Sequence, residues 1–440
     1  MSVTLFKNKE TRKKLLLIIG AMIFIRIGSI IPIPGINAEY MKAIVSGSGF
    51  EFLNMITGNS LSQMSLFALS ISPYITASII VQLMSVVIPR LEELSKDGET
   101  GREKIQKITN ITGIVMALIQ SLFMAIGFGS KGLLTPYSWW MVLIATAIWT
   151  VGTTLLIFIG EKITKLEFGN GISYILLFNI LASFSNDLSV LYQHFIYGNR
   201  VVFAIINILI AVFIFALLLA ACIYLNLCEK RVPICFSKKM VGNAGSQELP
   251  VPLNICNVMP IIFAGSIVSL PAFISVLVDN EVIKTMTMYL SQANWFNPSN
   301  LKYSIGCIVY VLLTYFFASF YLCISFNTTE IAQNLKTQGA TIPEIRPGQP
   351  TIEYLDKIAH KMVWFGTTFM LVIVLVVLLL CNMSGIGMLS IGGTSILICT
   401  NVIIESHKKL KTTAQSVESQ SYYRRKTSRS TSLFVTKGDK

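Results

Sequence analysis

The residues of this chain best suited to chemistry are three histidines, eight cysteines and one arginine set inside an apolar run, and none is spaced for catalysis. His194, His360 and His407 share no ligand spacing, so no zinc or haem site is expected. The cysteines at 222, 228, 235, 256, 307, 323, 381 and 399 form no CxxC pair, and most stand in or beside apolar runs, where a thiol behaves as a small hydrophobe. Neither a disulfide framework nor a cofactor is expected. Arg26 is the only ionisable residue inside a predicted span, which disfavours proton- or sodium-coupled transport. Gln82, Gln120, Asn179, Asn207 and Asn401 are polar residues within apolar runs, and each could simply hydrogen-bond to a neighbouring helix. The sequence holds no phosphate loop and no nucleophile constellation, so it is not expected to be an enzyme. What remains is a mechanical kind of chemistry. Ile71, Ile75 and Ile79, continued by Gln82, lie at helical spacing on one side of a run. Such a stripe is either ordinary packing or the wall of a pore that shuts by dewetting.

The stripe belongs to the stretch TGNSLSQMSLFALSISPYITASIIVQLMSVVIP, residues 57–89. Its second part, from Ile71 to Ile88, is apolar for long enough to cross a bilayer, where a helix needs about 20 residues, whereas its first part is too short. Ser72-Pro73 joins them, and a residue before proline avoids helical geometry, so a break is expected there. Broken backbone at membrane depth is tolerated only where protein buries it or water wets it. Residues 57–70 are therefore predicted to be a half-helix folded into a cavity, with Ile71 onward as its wall.

The rest of the chain is built to hold such a cavity in a membrane. Over 440 residues it is 53% hydrophobic and only 13% charged, about half the charge of an ordinary soluble domain. Leu15 to Ile33 follows a basic start but lacks a small-residue cleavage site, so it is predicted to be a first span rather than a signal peptide. Ten apolar runs mark crossings near 15–33, 71–88, 110–128, 138–160, 171–186, 200–227, 256–278, 303–326, 361–381 and 386–404. With both termini in the cytoplasm, 29 of the 35 lysines and arginines lie on that side and five on the other, which fixes the orientation. Two sets of five spans must be inverted relative to each other if they are repeats. PYITASII (73–80) and PIIFAGSI (260–267) share Pro, Ile, Ala and Ile at matching places near the second and seventh spans. Convergent apolar composition would explain the match equally well. The expected fold class is all-α and polytopic: residues 1–14 cytoplasmic, 15–186 a first half, 187–199 an external hinge loop, 200–404 a second half, and 405–440 a basic, Ser/Thr-rich, flexible tail. Cytoplasmic loops at 228–255 and 327–357 are rich in Pro and Gly, which predicts shaped hairpins or extended segments.

Six stretches of this sequence together resemble the SecY family, whose members form the channel of the bacterial Sec protein translocon. They are SLFALSISPYITASIIVQLM (65–84), LEELSKDGETGREKI (91–105), FGNGISYI (168–175), NVMPIIFAGSI (257–267), FNTTEIAQNLKTQGATIPEIRPGQPT (326–351) and IGGTSILI (391–398). The resemblance implies ten transmembrane helices in two inverted five-helix halves, with a plug helix at 57–70. It places the plug on Gly58, Asn59, Ser60, Leu61, Met64, Leu66 and Phe67, and the pore ring on Ile71, Ile75, Ile172, Leu176, Met259, Ile262 and Ile398. Every ring position is apolar, as a seal around a moving peptide requires. Pro73, Gln82 and Pro260 fall at a lateral gate between the second and seventh spans. Arg346, flanked by Pro343, Pro347 and Gly348, matches the arginine that serves the motor ATPase SecA. Lys230, Arg231, Lys238 and Lys239 resemble the basic tip of the other docking loop, although positive-inside topology accounts for their charge equally well. The implied function is a protein-conducting channel in the bacterial cell membrane. It would pass unfolded preproteins, release signal peptides and transmembrane segments sideways into lipid, and work with SecE, SecG, SecA and the ribosome. The alternative is a small-solute secondary transporter of inverted-repeat design, which needs a midplane site of ionisable groups.

This sequence departs from the family in places. The plug lacks the glycine pair common in relatives, Ser72 and Thr76 make the start of the second span more polar, and the tail has no counterpart. Such departures fit either a divergent housekeeping copy or an accessory one devoted to particular substrates.

Overall fold

A computed structural model describes residues 9–45, 50–166, 169–195, 201–236, 247–278, 280–296, 301–383 and 393–412. A helix stands at each of the ten apolar runs. We number them α1 (Lys9–Ile30), α2 (Ala38–Val45), α3 (Glu51–Ile56), α4 (Ser72–Val87), α5 (Pro89–Lys96), α6 (Gly98–Phe128), α7 (Trp139–Thr164), α8 (Gly171–Phe195) and α9 (Val201–Leu227). After a hairpin of β1 (Glu229–Phe236) and β2 (Gln247–Pro252) come α10 (Met259–Leu277), α11 (Glu281–Leu290), α12 (Ser304–Ser325) and α13 (Thr328–Thr337). The strand β3 (Ala340–Thr341), α14 (Gln349–Met383) and a helix α15 over 393–412 complete the order.

Six of these helices are long and apolar enough to cross a membrane, or seven if α4 and α5, bent by 104° at their junction, form one span. The other expected crossings are shorter or more charged. Lys13, Lys14 and Arg26 stand in α1, Glu405, Lys408 and Lys409 in α15, and α10 has 19 residues with Pro271 inside it. The exposed faces are apolar, with Trp139 at 67%, Trp140 at 76% and Phe365 at 70% exposure. Such surfaces are stable only against lipid or another chain.

The expected break between the sealing segment and α4 is present, but not where the proline rule put it. Ser72 is the first residue of α4 and Pro73 sits in its first turn, where the missing N–H is not needed. The chain turns one step earlier, through Ser70 at φ 47° and Ile71 at φ −96°, ψ 0°. The entry to α10 repeats this backbone: Asn257 at φ 53°, Val258 at φ −95°, ψ 0°, then Pro260 in the first turn. The Pro-x-Ile-x-Ala-x-x-Ile pattern therefore marks two helix starts of one shape.

A larger correction concerns residues 57–70. They form consecutive turns and no α-helix, between the six-residue α3 and the start of α4. Positive φ at Gly58 (70°), Asn59 (65°), Met64 (47°) and Ser70 (47°) interrupts helical geometry repeatedly. Short polar side chains supply the alternative. Thr57 Oγ1 donates to the Asn54 carbonyl at 3.0 Å, Asn54 Oδ1 accepts from the Ser62 N–H at 3.0 Å, and Ser62 Oγ donates to the Asn59 carbonyl at 2.9 Å.

The loops at 228–255 and 327–357 share a module that periodicity did not reveal. β1 pairs antiparallel with β2 from Glu229↔Pro252 to Ile234↔Gln247, and on its other edge with β3 at Cys235↔Thr341 and Phe236↔Ala340. Val232, Val251, Ile342, Leu355 and Ile358 make a small core beneath this sheet. The β1–β2 hairpin is of the shaped kind expected at 228–255, whereas its pairing with β3 adds a small sheet, not expected, to a mostly helical fold.

Candidate functional site

The seven predicted ring residues come from four places. Ile71 caps α4 and Ile75 lies one turn into it; Ile172 and Leu176 stand in the first turns of α8; Met259 and Ile262 open α10; Ile398 lies in α15. All belong to one apolar cluster, with Ile71 0%, Ile75 6%, Ile172 8%, Leu176 5%, Ile262 4% and Ile398 1% exposed, and Met259 packed against it. Ile79, one turn further along α4, joins the same cluster at 5%. The walls are thus side chains with nothing to offer water.

Residues 57–70 lie buried against this cluster. Phe67 belongs to it, whereas Leu61, Met64, Ala68 and Leu69 pack in a second cluster with Trp149 of α7 and Phe128 of α6. Leu66 is half-buried; Gly58 and Ser60 are buried, and Asn59 is partly so. Because the segment is not a helix, its backbone groups need partners from elsewhere. Arg26 Nη1 donates to the Gly58 carbonyl at 3.3 Å, which gives the lone intraspan arginine a place. Trp149 Nε1 donates to the Ser65 carbonyl at 3.2 Å, the Leu66 N–H donates to the Ile31 carbonyl at 3.1 Å, and the Ile33 N–H donates to the Met64 carbonyl at 3.4 Å. Asn179 Nδ2 donates to the Ile56 carbonyl at 3.2 Å and to Ser70 Oγ at 2.9 Å.

Two glycines let the segment come this close. A Cβ at Gly152 would run into the Leu66 carbonyl oxygen, and one at Gly28 would overlap the Phe67 ring. Sequence reasoning missed Trp149, Gly152 and Gly28. The signal available was small residues within apolar helices, which mark close approach. It missed Asp187 as well, buried at 2% because α8 runs on past the predicted end of its span.

At the predicted lateral gate α4 packs on α10, and Pro73 and Pro260 are both buried in first turns. Gln82 is half-buried; its Nε2 donates to Ser78 Oγ at 3.1 Å, while its Oε1 is buried without a partner. Tyr74 is fixed from behind, its hydroxyl accepting from Gln106 Nε2 at 2.9 Å. Beyond the far end of α4 a cavity of about 440 Å³ separates Ser85, Glu92 and Arg102 from Cys323, Asn327 and Glu330.

Of the predicted docking residues, Lys230 and Arg231 are exposed on β1 and Arg346 is exposed in the turn after β3, so all three ride on the shared module. Arg231 is partly neutralised, 3.5 Å from Glu229 Oε1 and 3.5 Å from Glu248 Oε2. Lys238 and Lys239 lie outside the described residues. Among the described residues no group of His, Cys, Asp or Glu could hold a metal ion.

Residues 65–407 match the family model described as SecY. Protein translocase subunit SecY of Staphylococcus epidermidis is 34% identical over 423 residues, covering 93% of this chain and 96% of that protein. The subunit of the same name from Halalkalibacterium halodurans is 32% identical over 418 residues, covering 92% and 95%. A solved protein-conducting channel superposes with a TM-score of 0.65 at 16% identity, over 90% of this chain and 91% of that one. A SecY structure concerned with how the plug domain stabilises the closed channel gives 0.60 at 18% identity, over 90% of each chain. Sec61 in a canine ribosome–channel complex gives 0.61 at 16%, over 90% and 91%.

Proposed function

This chain belongs to the SecY family, and from that membership we propose that it is the protein-conducting channel of a Sec translocon in a bacterial cell membrane. The observation that carries the reading is the seal: seven apolar side chains from four helices, with a buried, non-helical segment pinned against them. An apolar ring of this kind has no affinity for any particular sequence, and it can close around any extended chain while leaving ions no polar path. Residues 57–70 act as the plug. When a signal peptide binds the open state better than the closed one, the population shifts and the plug leaves.

The ten helices at the ten apolar runs form two inverted halves, both termini facing the cytoplasm, and α4 and α10 line the lateral gate through which apolar segments reach lipid. The matching entries of these two helices support that symmetry. The module bearing Lys230, Arg231 and Arg346 faces the cytoplasm and receives SecA or the ribosome, which supply the energy. SecE, with SecG, clamps the halves from outside.

The test is to stall a secretory chain in proteoliposomes containing SecE and SecA and to crosslink it to cysteines at positions 75 and 262. Crosslinks at both that need ATP support a pore through the ring. A bound chain that reaches neither position would overturn it.

A further inference from the structure

We propose that Asn179 is the latch of the closed state, one side chain that holds both hinges of the sealing segment; the proposal rests on the channel reading above. The segment leaves α3 through Gly58 and Asn59 at φ 70° and 65°, and it joins α4 through Ser70 at φ 47°. Left-handed backbone at non-glycine residues is strained and persists only where the surroundings hold it. Asn179, on α8 and 5% exposed, holds both ends. Its amide has two hydrogens, and both are committed: one to the Ile56 carbonyl beside the first hinge, the other to Ser70 Oγ at the second.

The packing agrees with the hydrogen bonds. Gly58 sits so close to α8 that a Cβ there would lie 2.8 Å from the Asn179 carbonyl oxygen and 3.0 Å from its Cα. Arg26 pulls on the Gly58 carbonyl at 3.3 Å, so the hinge is pinched between two helices. Asn179 also stands three residues beyond Leu176, so the latch lies next to the ring it guards. One partner is the last carbonyl of α3, where the segment begins, and the other is the segment's final residue, so a single side chain spans both of its ends.

The latch also makes opening cooperative with wetting. If the segment swings out of a dry site, both amide hydrogens lose their partners at once, and a buried unpaired donor is unfavourable. Water or a polypeptide backbone entering the pore satisfies them and removes the penalty. An arriving chain therefore favours the open state chemically as well as by pushing.

The complete translocon, reconstituted in liposomes, reads this out as resting ion permeability. Asn179→Asp keeps the shape that packs on Gly58 but replaces the donating amide with an accepting carboxylate. It should raise resting leak roughly tenfold, as Asn179→Ala should. Ser70→Ala removes one of the two bonds and should leak to an intermediate degree. The Asp and Ala variants should also pass a preprotein with a weakened signal sequence faster, with little change for a normal one, which a merely structural role would not produce. Channels as tight as the parent in both Asn179→Asp and Ser70→Ala, when a channel lacking residues 57–70 leaks, overturn the latch and leave the channel reading standing. If Asn179→Asp fails to assemble, the Ser70→Ala result decides alone. A sealed channel after deletion of 57–70 overturns the channel reading and the latch with it.

Discussion

Ile75 of α4 and Ile262 of α10 meet in one buried apolar cluster, which the proposed reading takes as the constriction between two helices that part when a segment leaves sideways. Replacing both with glycine removes two apolar side chains and lets water wet the ring, so resting conductance in planar bilayers should rise severalfold. An unchanged conductance counts against the ring. Gly152→Ala should loosen residues 57–70 by a different route, because the new methyl runs into the Leu66 carbonyl oxygen. Crowding of that kind costs about 1–3 kcal/mol, so a lower melting temperature and a measurable leak are expected together. At this scale the six stretches named seven apolar positions that the structure gathers into one cluster, because the type and order of residues in those stretches single them out. Asn179 was visible only as one polar residue among several. Its role depends on the Ile56 carbonyl and Ser70 hydroxyl, partners 123 and 109 residues away, and no local pattern encodes such a pairing.

The module of β1, β2 and β3 carries the exposed Lys230, Arg231 and Arg346, and they should not contribute equally. Glu229 and Glu248 flank Arg231, whereas neither Lys230 nor Arg346 has an ion pair among the described residues. Lys230→Glu should therefore weaken ribosome binding more than Arg231→Ala does, with the larger loss at low salt. A greater loss for Arg231→Ala would reverse that ranking. Arg346→Glu should abolish motor-driven export in a translocation assay while membrane assembly stays intact; normal export would remove Arg346 from the motor's docking site. The helices were readable from the apolar runs alone, because burial in lipid demands length and uniformity. The sheet was not, since β3 is two residues long and pairs with a strand about a hundred residues earlier. The half-helix expected at 57–70 gave way to turns because Ser, Thr and Asn side chains offer the backbone closer partners than helical carbonyls do.

Across the whole molecule, the excess of basic residues on one side predicts an orientation that labelling can test. Cysteines at positions 131 and 302 should react with an impermeant thiol reagent in intact cells, and cysteines at 230 and 408 only after the membrane is opened. The reverse pattern would invert the topology, and a mixed one would change the number of crossings. Charge bias and apolar length predict orientation and crossings, but how the segments meet depends on contacts such as Phe52 against Gly265 and Met55 against Ser395, which join distant parts of the chain. One asymmetry in those contacts has a bioenergetic meaning. Among the described residues, the hydrogen bonds that other elements make with residues 57–70 come from parts of the chain before α9, whereas α15 reaches no further than Met55 of α3. On the proposed reading of two halves, a stopper whose own hydrogen bonds all run to the first half stays with it when the second swings away. Hydrophobic cargo could then slip into the bilayer while protons stay on their own side, so inserting a membrane protein need not discharge the gradient by which the cell makes its ATP.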